Sequence, residues 1–346
     1  MRILIYSPAF LPAIGGLEIT TSLLAEGLAE SGQEVTVVTR TPGEPQEAPY
    51  RVVRDPAPLE VLRWTRWCDV FVQQNVSLRG LWPLLLIRRP WVVFHHSWYC
   101  QSDGRITWRD RLKRRLLRFS AASIPVSQAL ADDLGTPSVV IPNPYRESLF
   151  RVLPGIERTG ELLFVGRLVS DKGVDLLLDA LALLSREGLE PRLTVVGEGP
   201  EAPRLREQAG RLGIAGRVEL LGTRRDETLV EILNRHRILV VPSRYNEPFG
   251  IVALEGIACG CVVVGSRGGG LGEAIGDCGR TFPNGDAGAL ARELAELLRH
   301  PEADSTYRRH AARHLARHRT EAVTAATLRL FETLLPRGAR SVGRTA

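Results

Sequence analysis

Two glutamates, Glu247 and Glu255, stand eight residues apart, directly after a short apolar run at residues 238–242. That run is typical of a buried strand, and the apolar residues after Gly250 are typical of a helix. One carboxylate is therefore expected in a loop at the carboxyl end of a strand, and the other on the following helix, within ~12 Å. Ligands of open α/β sheets bind at that end of the strands. The pair suggests a ligand with hydroxyl groups at both ends; the alternative is two solvated glutamates.

Two cations, Arg167 and Lys172, flank a turn after another strand-like run, residues 161–165. A guanidinium binds two phosphate oxygens at once and an ammonium acts as a point charge, so the two together suit a diphosphate. Of the 45 basic residues only Lys113 and Lys172 are lysines, so a lysine retained in this turn favours a function. The alternative is two solvated surface cations.

Glycines stand at two further points where a strand-like run gives way to a helix. Gly15 and Gly16 precede a helix expected over residues 17–31, and Gly250 precedes the helix that carries Glu255. Glycine lets a ligand approach the backbone, and a helix N-terminus attracts anions. Each turn suits a phosphate, although a lone Gly-Gly is also typical of an ordinary strand-to-helix turn.

Short apolar runs alternate with helical segments along the whole chain, which predicts parallel sheets covered by helices on both faces. The fold class is therefore α/β, with two doubly wound, Rossmann-like domains. After a strand at residues 138–141, two prolines interrupt the chain, and the pattern restarts at residue 161. The predicted domains are residues 1–152 and 153–318, followed by a crossing helix and tail at residues 319–346.

Composition limits the class of protein without identifying it. The 346 residues, 44% hydrophobic and 24% charged, are typical of two globular domains. No apolar run approaches the ~20 residues that span a bilayer. The N-terminus lacks a signal-peptide pattern, so a cytoplasmic location is expected. The five cysteines show no metal-ligand spacing, and a net charge of +6 does not discriminate between anionic ligands, membranes and nucleic acid.

In their order and spacing, the motifs resemble those of the retaining, nucleotide-sugar-dependent glycosyltransferases of family 4, which have two facing Rossmann-like domains (the GT-B fold). The resemblance covers nearly the whole chain. The motifs that carry it are Gly15-Gly16-x-Glu18, His95, Ile124-Pro-Val-Ser127, Val140-Ile-Pro-Asn143, Val165-Gly-Arg-Leu168 with Lys172-Gly173, Val196-Gly-Glu-Gly-Pro200, Glu247-x7-Glu255, and Gly268-Gly-Gly270 with Glu273.

The resemblance implies roles for the matching residues. Arg167 and Lys172 would neutralise the leaving diphosphate, Glu247 would hold the donor sugar, and His95 would lie beside that sugar. His96 is adjacent to His95 and remains an alternative. The implied catalytic residues are Glu247, His95, Arg167 and Lys172. The implied donor-binding residues are Gly15, Gly16, Gly166, Glu198, Arg224, Pro248, Phe249, Gly250, Ile251 and Glu255, with Glu255 on the ribose and Arg224 near the base.

The resemblance also implies a reaction and its partners. A hexosyl-type sugar would move to the hydroxyl of a glycan, glycolipid or small molecule, with retention and with Glu247 positioning the donor rather than attacking it. No metal and no other cofactor are expected. The expected donor is a UDP-sugar, and a GDP-sugar is the next candidate. Alternatives are a non-catalytic nucleotide-sugar-binding partner or an epimerase; a pyridoxal-phosphate phosphorylase would need a lysine beyond Lys113 and Lys172.

A basic helix is predicted from Arg105 to Phe119. Its apolar residues recur at helical spacing between arginines, a pattern that suits docking on an anionic membrane surface. An ordinary helix with its apolar stripe on the sheet is the alternative. Nothing resembles a nucleic-acid recognition module, so no nucleic-acid partner is expected. The expected location is therefore cytoplasmic, with peripheral contact at the inner membrane face if the helix docks.

Overall fold

The chain forms two compact units in a computed structural model that describes residues 1–13, 15–44, 47–101 and 104–335. Unit 1 comprises residues 1–144 and the chain from residue 318 onward, and unit 2 comprises residues 145–317. Each unit contains one six-stranded sheet in which every neighbouring pair of strands is parallel.

The sheet of unit 1 has the strand order β3-β2-β1-β4-β5-β6. Ile3 of the first strand lies opposite Val35, and Ile5 lies opposite Val37. These side chains are fully or almost fully buried, as expected where helices cover both faces of a parallel sheet. The strands are β1 Arg2–Ser7, β2 Glu34–Thr39, β3 Arg51–Arg54, β4 Val70–Gln74, β5 Trp91–His95 and β6 Ala122–Pro125.

Among the described residues, unit 1 contains six α-helices, and the last of them comes from the C-terminal end of this part of the chain. That helix packs against the first one, where a side chain on Gly27 would overlap Thr324. Its Val323 and Phe331 join Leu24 in the core of unit 1, which confirms that the C-terminal helix packs on the N-terminal domain. The helices are α1 Gly16–Glu30, α2 Pro58–Trp67, α3 Leu78–Leu86, α4 Trp108–Leu116, α5 Gln128–Leu134 and α14 Thr320–Leu334.

The sheet of unit 2 has the order β12-β11-β10-β7-β8-β9, with β10 and β7 at its centre. Its strands are β7 Gly160–Val165, β8 Leu193–Val196, β9 Val218–Gly222, β10 His236–Val241, β11 Val262–Ser266 and β12 Gly279–Phe282. Its helices are α6 Val174–Arg186, α7 Ala202–Arg211, α8 Asp226–Arg235, α9 Ile251–Ala258, α10 Leu271–Ile275, α11 Ala287–Arg299, α12 Asp304–Arg308 and α13 Ala311–Ala316. The predicted fold class of two Rossmann-like α/β domains is confirmed.

Two details of the sequence prediction differ from the structure. Residues 138–141 do not form a strand. They run beside β6, where the N–H groups of Val139 and Ile141 donate to Ser123 O (3.0 Å) and Pro125 O (3.2 Å). Pro137 and Pro142 flank the segment and cannot donate to a ladder, which limits the pairing. Conversely, the short edge strand β3 was not predicted, because its Arg-Val-Val-Arg sequence gives little alternation.

The division between the units falls at residue 144, eight residues before the predicted boundary. The segment after it belongs to unit 2 because it is bonded to α8: Arg151 pairs with Glu227 at 3.3 Å. Asn234 accepts from the Leu153 N–H at 2.8 Å and donates to Arg151 O at 2.9 Å. The return to unit 1 at residue 318 lies within one residue of the predicted crossing at 319. The tail predicted after the crossing helix, residues 336–346, lies outside the described residues.

Candidate active site

Glu247 is the most constrained carboxylate at the carboxyl edge of the unit 2 sheet. Its side chain is buried, with the residue only 6% exposed. Oε1 accepts from Lys172 Nζ at 2.6 Å and from Ser243 Oγ at 2.7 Å, and Oε2 accepts from Tyr245 Oη at 2.6 Å. Burial alone would raise the pKa of Glu247, but the Lys172 ammonium and these donors outweigh it and hold the pKa below its usual value. Glu247 is therefore ionised, and three of the roughly four lone-pair positions of its carboxylate accept hydrogen bonds.

The loop that carries Lys172 packs closely against the loop that carries Glu247 and is hydrogen-bonded to it. Gly173 has a φ of +68°, and a Cβ there would overlap the carbonyl oxygen of Pro242, so glycine is required for this contact. The Arg244 N–H donates to Asp171 O at 2.8 Å, and the Arg244 guanidinium pairs with Asp175 at 2.7 Å. The ammonium of Lys172 is thereby placed by the strand ends of β7 and β10 together.

The loops after β11 and β12 also hold the Glu247 loop in place. The Gly270 N–H donates to Glu247 O at 2.8 Å, and a Cβ on Gly269 would overlap the same carbonyl. Asn284 donates to Tyr245 O at 3.3 Å and accepts from the Gly268 N–H at 2.7 Å. Loops after three neighbouring strands thus meet at Glu247.

Helix α9 begins four residues after Glu247 and carries the second glutamate, Glu255. Gly250 precedes it with a φ of +99°, packed against Leu271 of α10, while Phe249 is buried. Glu255 lies on the second turn of α9 and is partly exposed. Burial raises the pKa of Glu255 to about 7, although the positive charge of Arg146 opposes the change.

The remaining residues of unit 2 that were predicted to bind a donor lie at the ends of β7, β8 and β9. The Gly166 N–H donates to Val196 O at 3.0 Å, and Gly197 follows with a φ of +138°. Glu198 accepts from the Thr223 N–H at 3.2 Å, beside the exposed Arg224. Arg167 is also exposed, and its charge acts on the phenol of Tyr245. The structure therefore brings Arg167 and Lys172 to the same sheet edge as Glu247.

Three of the predicted residues belong to unit 1. Gly15 caps the N-terminus of α1 and Gly16 begins it. His95 ends β5 and is completely buried, with Nδ1 2.7 Å from Tyr99 Oη and Nε2 2.9 Å from Ser123 Oγ. Burial lowers the pKa of His95 to about 3, so the ring is neutral at physiological pH. Its contact with a donor sugar stays a prediction.

His96, the alternative to His95, is less enclosed. Its ring Nε2 lies 2.6 Å from Gln74 Oε1, and its backbone N–H donates to Asn75 Oδ1 at 2.8 Å. Burial lowers its pKa to about 4. Both histidines are therefore suited to neutral hydrogen bonding and not to supplying a positive charge.

Comparison with known proteins assigns the family. The family model described as Glycosyltransferase Family 4 matches residues 14–148, and the one described as Glycosyl transferases group 1 matches residues 146–314. Glycogen synthase of Mycobacterium tuberculosis is 30% identical in an alignment that covers 88% of this chain and 87% of that protein. This chain belongs to the family 4 glycosyltransferases.

This family 4 glycosyltransferase is also similar to the phosphatidyl-myo-inositol mannosyltransferase of Mycolicibacterium smegmatis, with 28% identity covering 96% of this chain and 94% of that protein. The crystal structure of Anabaena Alr3699/HepE in complex with UDP superposes with a TM-score of 0.82 at 22% identity, covering 96% and 100% of the two chains. At that identity the superposition supports the GT-B fold.

Three site residues of this family 4 glycosyltransferase were not predicted: Ser243, Tyr245 and Asn284. Ser243 and Tyr245 lie within the Glu247 loop, and only its folded shape turns both hydroxyls towards the carboxylate. Asn284 lies 37 residues after Glu247. Its one signal in the sequence was the Pro-Asn-Gly turn directly after β12, at the same sheet edge.

The described residues contain neither a cluster of metal ligands nor a helix suited to span a membrane. No group of three or more His, Cys, Asp or Glu in this part of the chain could hold a metal ion. Likewise, none of the described helices is both long enough and apolar enough to cross a bilayer.

Proposed function

We propose that this family 4 glycosyltransferase moves a hexosyl-type sugar from a nucleoside diphosphate to an acceptor hydroxyl, with retention of configuration. The observation that carries the proposal is the ion pair of the partly exposed Lys172 with the buried Glu247, beside the exposed Arg167. A sugar offers hydroxyls that a carboxylate can accept from, and a diphosphate is the anion that the two cations suit. The UDP bound to the similar Anabaena protein supports a uridine nucleotide. A guanosine nucleotide is the second candidate.

The bonding of Glu247 supports a positioning role in this reaction. A carboxylate that already accepts three hydrogen bonds has few lone pairs left for attack on carbon. In the proposed reaction the bond from the anomeric carbon to the diphosphate oxygen breaks, and the acceptor oxygen bonds to that carbon from the same face. The acceptor proton passes to the departing diphosphate. Lys172 and Arg167 stabilise its charge, so no metal is required.

A donor screen tests the proposed function. We expect UDP-sugars, and after them GDP-sugars, to raise the melting temperature more than ADP- or TDP-sugars do. The best donor should be hydrolysed slowly without an acceptor, and intact-protein mass spectrometry should show no hexosyl adduct. A trapped adduct on Glu247 would refute the positioning role. Binding without any hydrolysis would instead favour a non-catalytic nucleotide-sugar-binding protein, and an epimerised donor would favour an epimerase.

We further propose that α4 and the turn after it contact an anionic membrane at its inner face. Trp108 is 66% exposed, Phe119 is 65% exposed and Leu112 is 37% exposed, so these three apolar side chains do not face the sheet. The fourth member of the stripe, Leu116, packs against the core of unit 1. The neighbouring cations are Arg109, Arg111, Lys113, Arg115 and Arg118. Apolar and cationic side chains on one helix suit an anionic lipid surface. A relative named for a phosphatidylinositol acceptor supports the same partner.

Vesicle co-sedimentation tests this contact. At low salt the protein should sediment with vesicles that contain anionic phospholipid and not with purely zwitterionic ones. The double variant W108S/F119S should bind ~10-fold or more weakly, because two aromatic side chains lose their burial in the interface. Val152→Ser is the matched control, since Val152 is 60% exposed but belongs to unit 2. Equal sedimentation of both variants would exclude the α4 surface.

A further inference from the structure

We propose that Tyr245 is a positioning residue that holds the Glu247 carboxylate in place when Lys172 leaves it for the donor diphosphate. The inference rests on the proposed function, because it requires a donor whose diphosphate attracts Lys172. It adds a residue whose type and spacing gave no signal in the sequence.

The ammonium of Lys172 has two competing partners, the Glu247 carboxylate and the donor diphosphate. In the structure its ammonium donates to Glu247 Oε1 at 2.6 Å. A diphosphate bound between Arg167 and Lys172 carries more negative charge than one carboxylate, so donor binding draws the ammonium away. Glu247 would then be a buried carboxylate without its cation, which is costly unless other donors remain.

Tyr245 can supply a hydrogen bond to Glu247 that remains when Lys172 leaves. Its hydroxyl donates to Oε2 at 2.6 Å, whereas Lys172 and Ser243 both donate to Oε1. The departure of Lys172 therefore leaves one hydroxyl on each oxygen, and the plane of the carboxylate stays fixed. A fixed carboxylate can keep accepting from the hydroxyls of a donor sugar.

The ring of Tyr245 also stabilises the ammonium near the site. Lys172 Nζ lies 5.3 Å from the centroid of that ring, within the range of a cation–π contact. The same side chain thus contacts both members of the ion pair. Lys172 can move off Glu247 while it remains over an aromatic face, without passing through bulk water.

The phenol stays protonated throughout the working pH range. Burial and the negative charge of Glu247 raise the pKa of Tyr245 far above its usual value; Asp171 adds to the effect and Arg167 opposes it. Tyr245 is therefore a permanent donor. Its backbone is fixed as well, because Tyr245 O accepts from Asn284 at 3.3 Å. The hydroxyl reaches Glu247 from an anchored position.

Lysine-selective labelling provides a direct test, because the chain contains two lysines. NMR signals of the Lys172 side chain should titrate with the protonation of Glu247 in the donor-free protein. The groups that face Glu247 are Lys172 and Tyr245, with the uncharged Ser243. Because Tyr245 donates to the ionised form, Y245F should move the midpoint upward by about one pH unit. Lys113 is an internal reference.

Kinetics with the best donor completes the test. In Y245F we expect kcat to fall ~10-fold or more with little change in KM, and the acidic limb of kcat/KM to move to higher pH with the NMR midpoint. Y307F is the matched control, since the hydroxyl of Tyr307 accepts from Arg280 elsewhere in unit 2. It should change neither quantity.

The outcomes separate the two hypotheses. An unchanged midpoint in a folded Y245F protein would overturn the role of Tyr245, even if the wild-type enzyme transfers sugar. A shifted midpoint with an unchanged kcat would also overturn it. If the wild-type protein turns over no nucleotide sugar, the proposed function fails, and the inference that rests on it fails for that separate reason.

Discussion

Replacing Lys172 with alanine should lower kcat by about 10²–10³-fold, the usual effect of removing one group that stabilises developing charge. In the proposed reaction the bond that breaks leaves negative charge on the diphosphate, and Gly173 and Glu247 hold the ammonium at this sheet edge. The bare nucleoside lacks that charge, so its dissociation constant should change by less than about threefold. Steady-state kinetics and calorimetry measure the two quantities separately.

The other lysine provides the control. Lys113 lies on α4, where its ammonium is 5.7 Å from the ring centroid of Tyr99 in unit 1. The variant K113A removes the same charge from unit 1 and leaves the loops around Glu247 intact, so its kcat should stay close to that of the wild type. Equal losses of turnover and of nucleoside affinity in K172A would contradict leaving-group stabilisation and would indicate a role in holding the whole donor.

Replacing Glu255 with glutamine should weaken donor binding by ~10–100-fold while making the donor-free protein more stable above pH 7. The first effect follows from losing charged hydrogen bonds to hydroxyl groups, each worth ~1.5–3 kcal/mol. The second follows from burial, which raises the pKa of Glu255 from 4.5 to about 7. The proton bound to Glu255 contributes to the free energy of unfolding. This contribution is fully present below pH 4.5 and is lost as the pH rises through about 7.

Melting temperatures at two pH values measure this second effect. At pH 8 the wild type must keep an ionised Glu255, whereas E255Q does not, so we expect E255Q to melt ~2–4 °C higher. At about pH 4, below the pKa of 4.5 in the unfolded chain, Glu255 is mostly neutral in both states, and the melting temperatures should coincide. Glu231→Gln is the matched control, since Glu231 forms an exposed i,i+4 pair with Arg235. A gain in E255Q that is equal at both pH values would contradict titration of Glu255.

Much of the fold and part of the site could be predicted from sequence, for physical reasons that differ by residue. The buried strands carry continuous apolar runs, and their carboxyl ends mark where Glu247 and Lys172 lie. The partners of Glu247 were not predictable in this way. Ser243 and Tyr245 reach it only because the loop turns back on itself, and Asn284 comes from another strand end. Side-chain hydrogen bonds within loops have no periodicity that a sequence pattern can show.

The C-terminal helix has a consequence for how the protein is made. Unit 2 is one continuous segment, so its core can close once residue 317 has left the ribosome. Unit 1 needs Phe331, which is fully buried against strands formed from the first part of the chain. The core of unit 1 therefore stays incompletely packed until α14 has been made. Translation order and folding order are inverted, and a chain truncated before α14 would release a folded unit 2 joined to an unfinished unit 1.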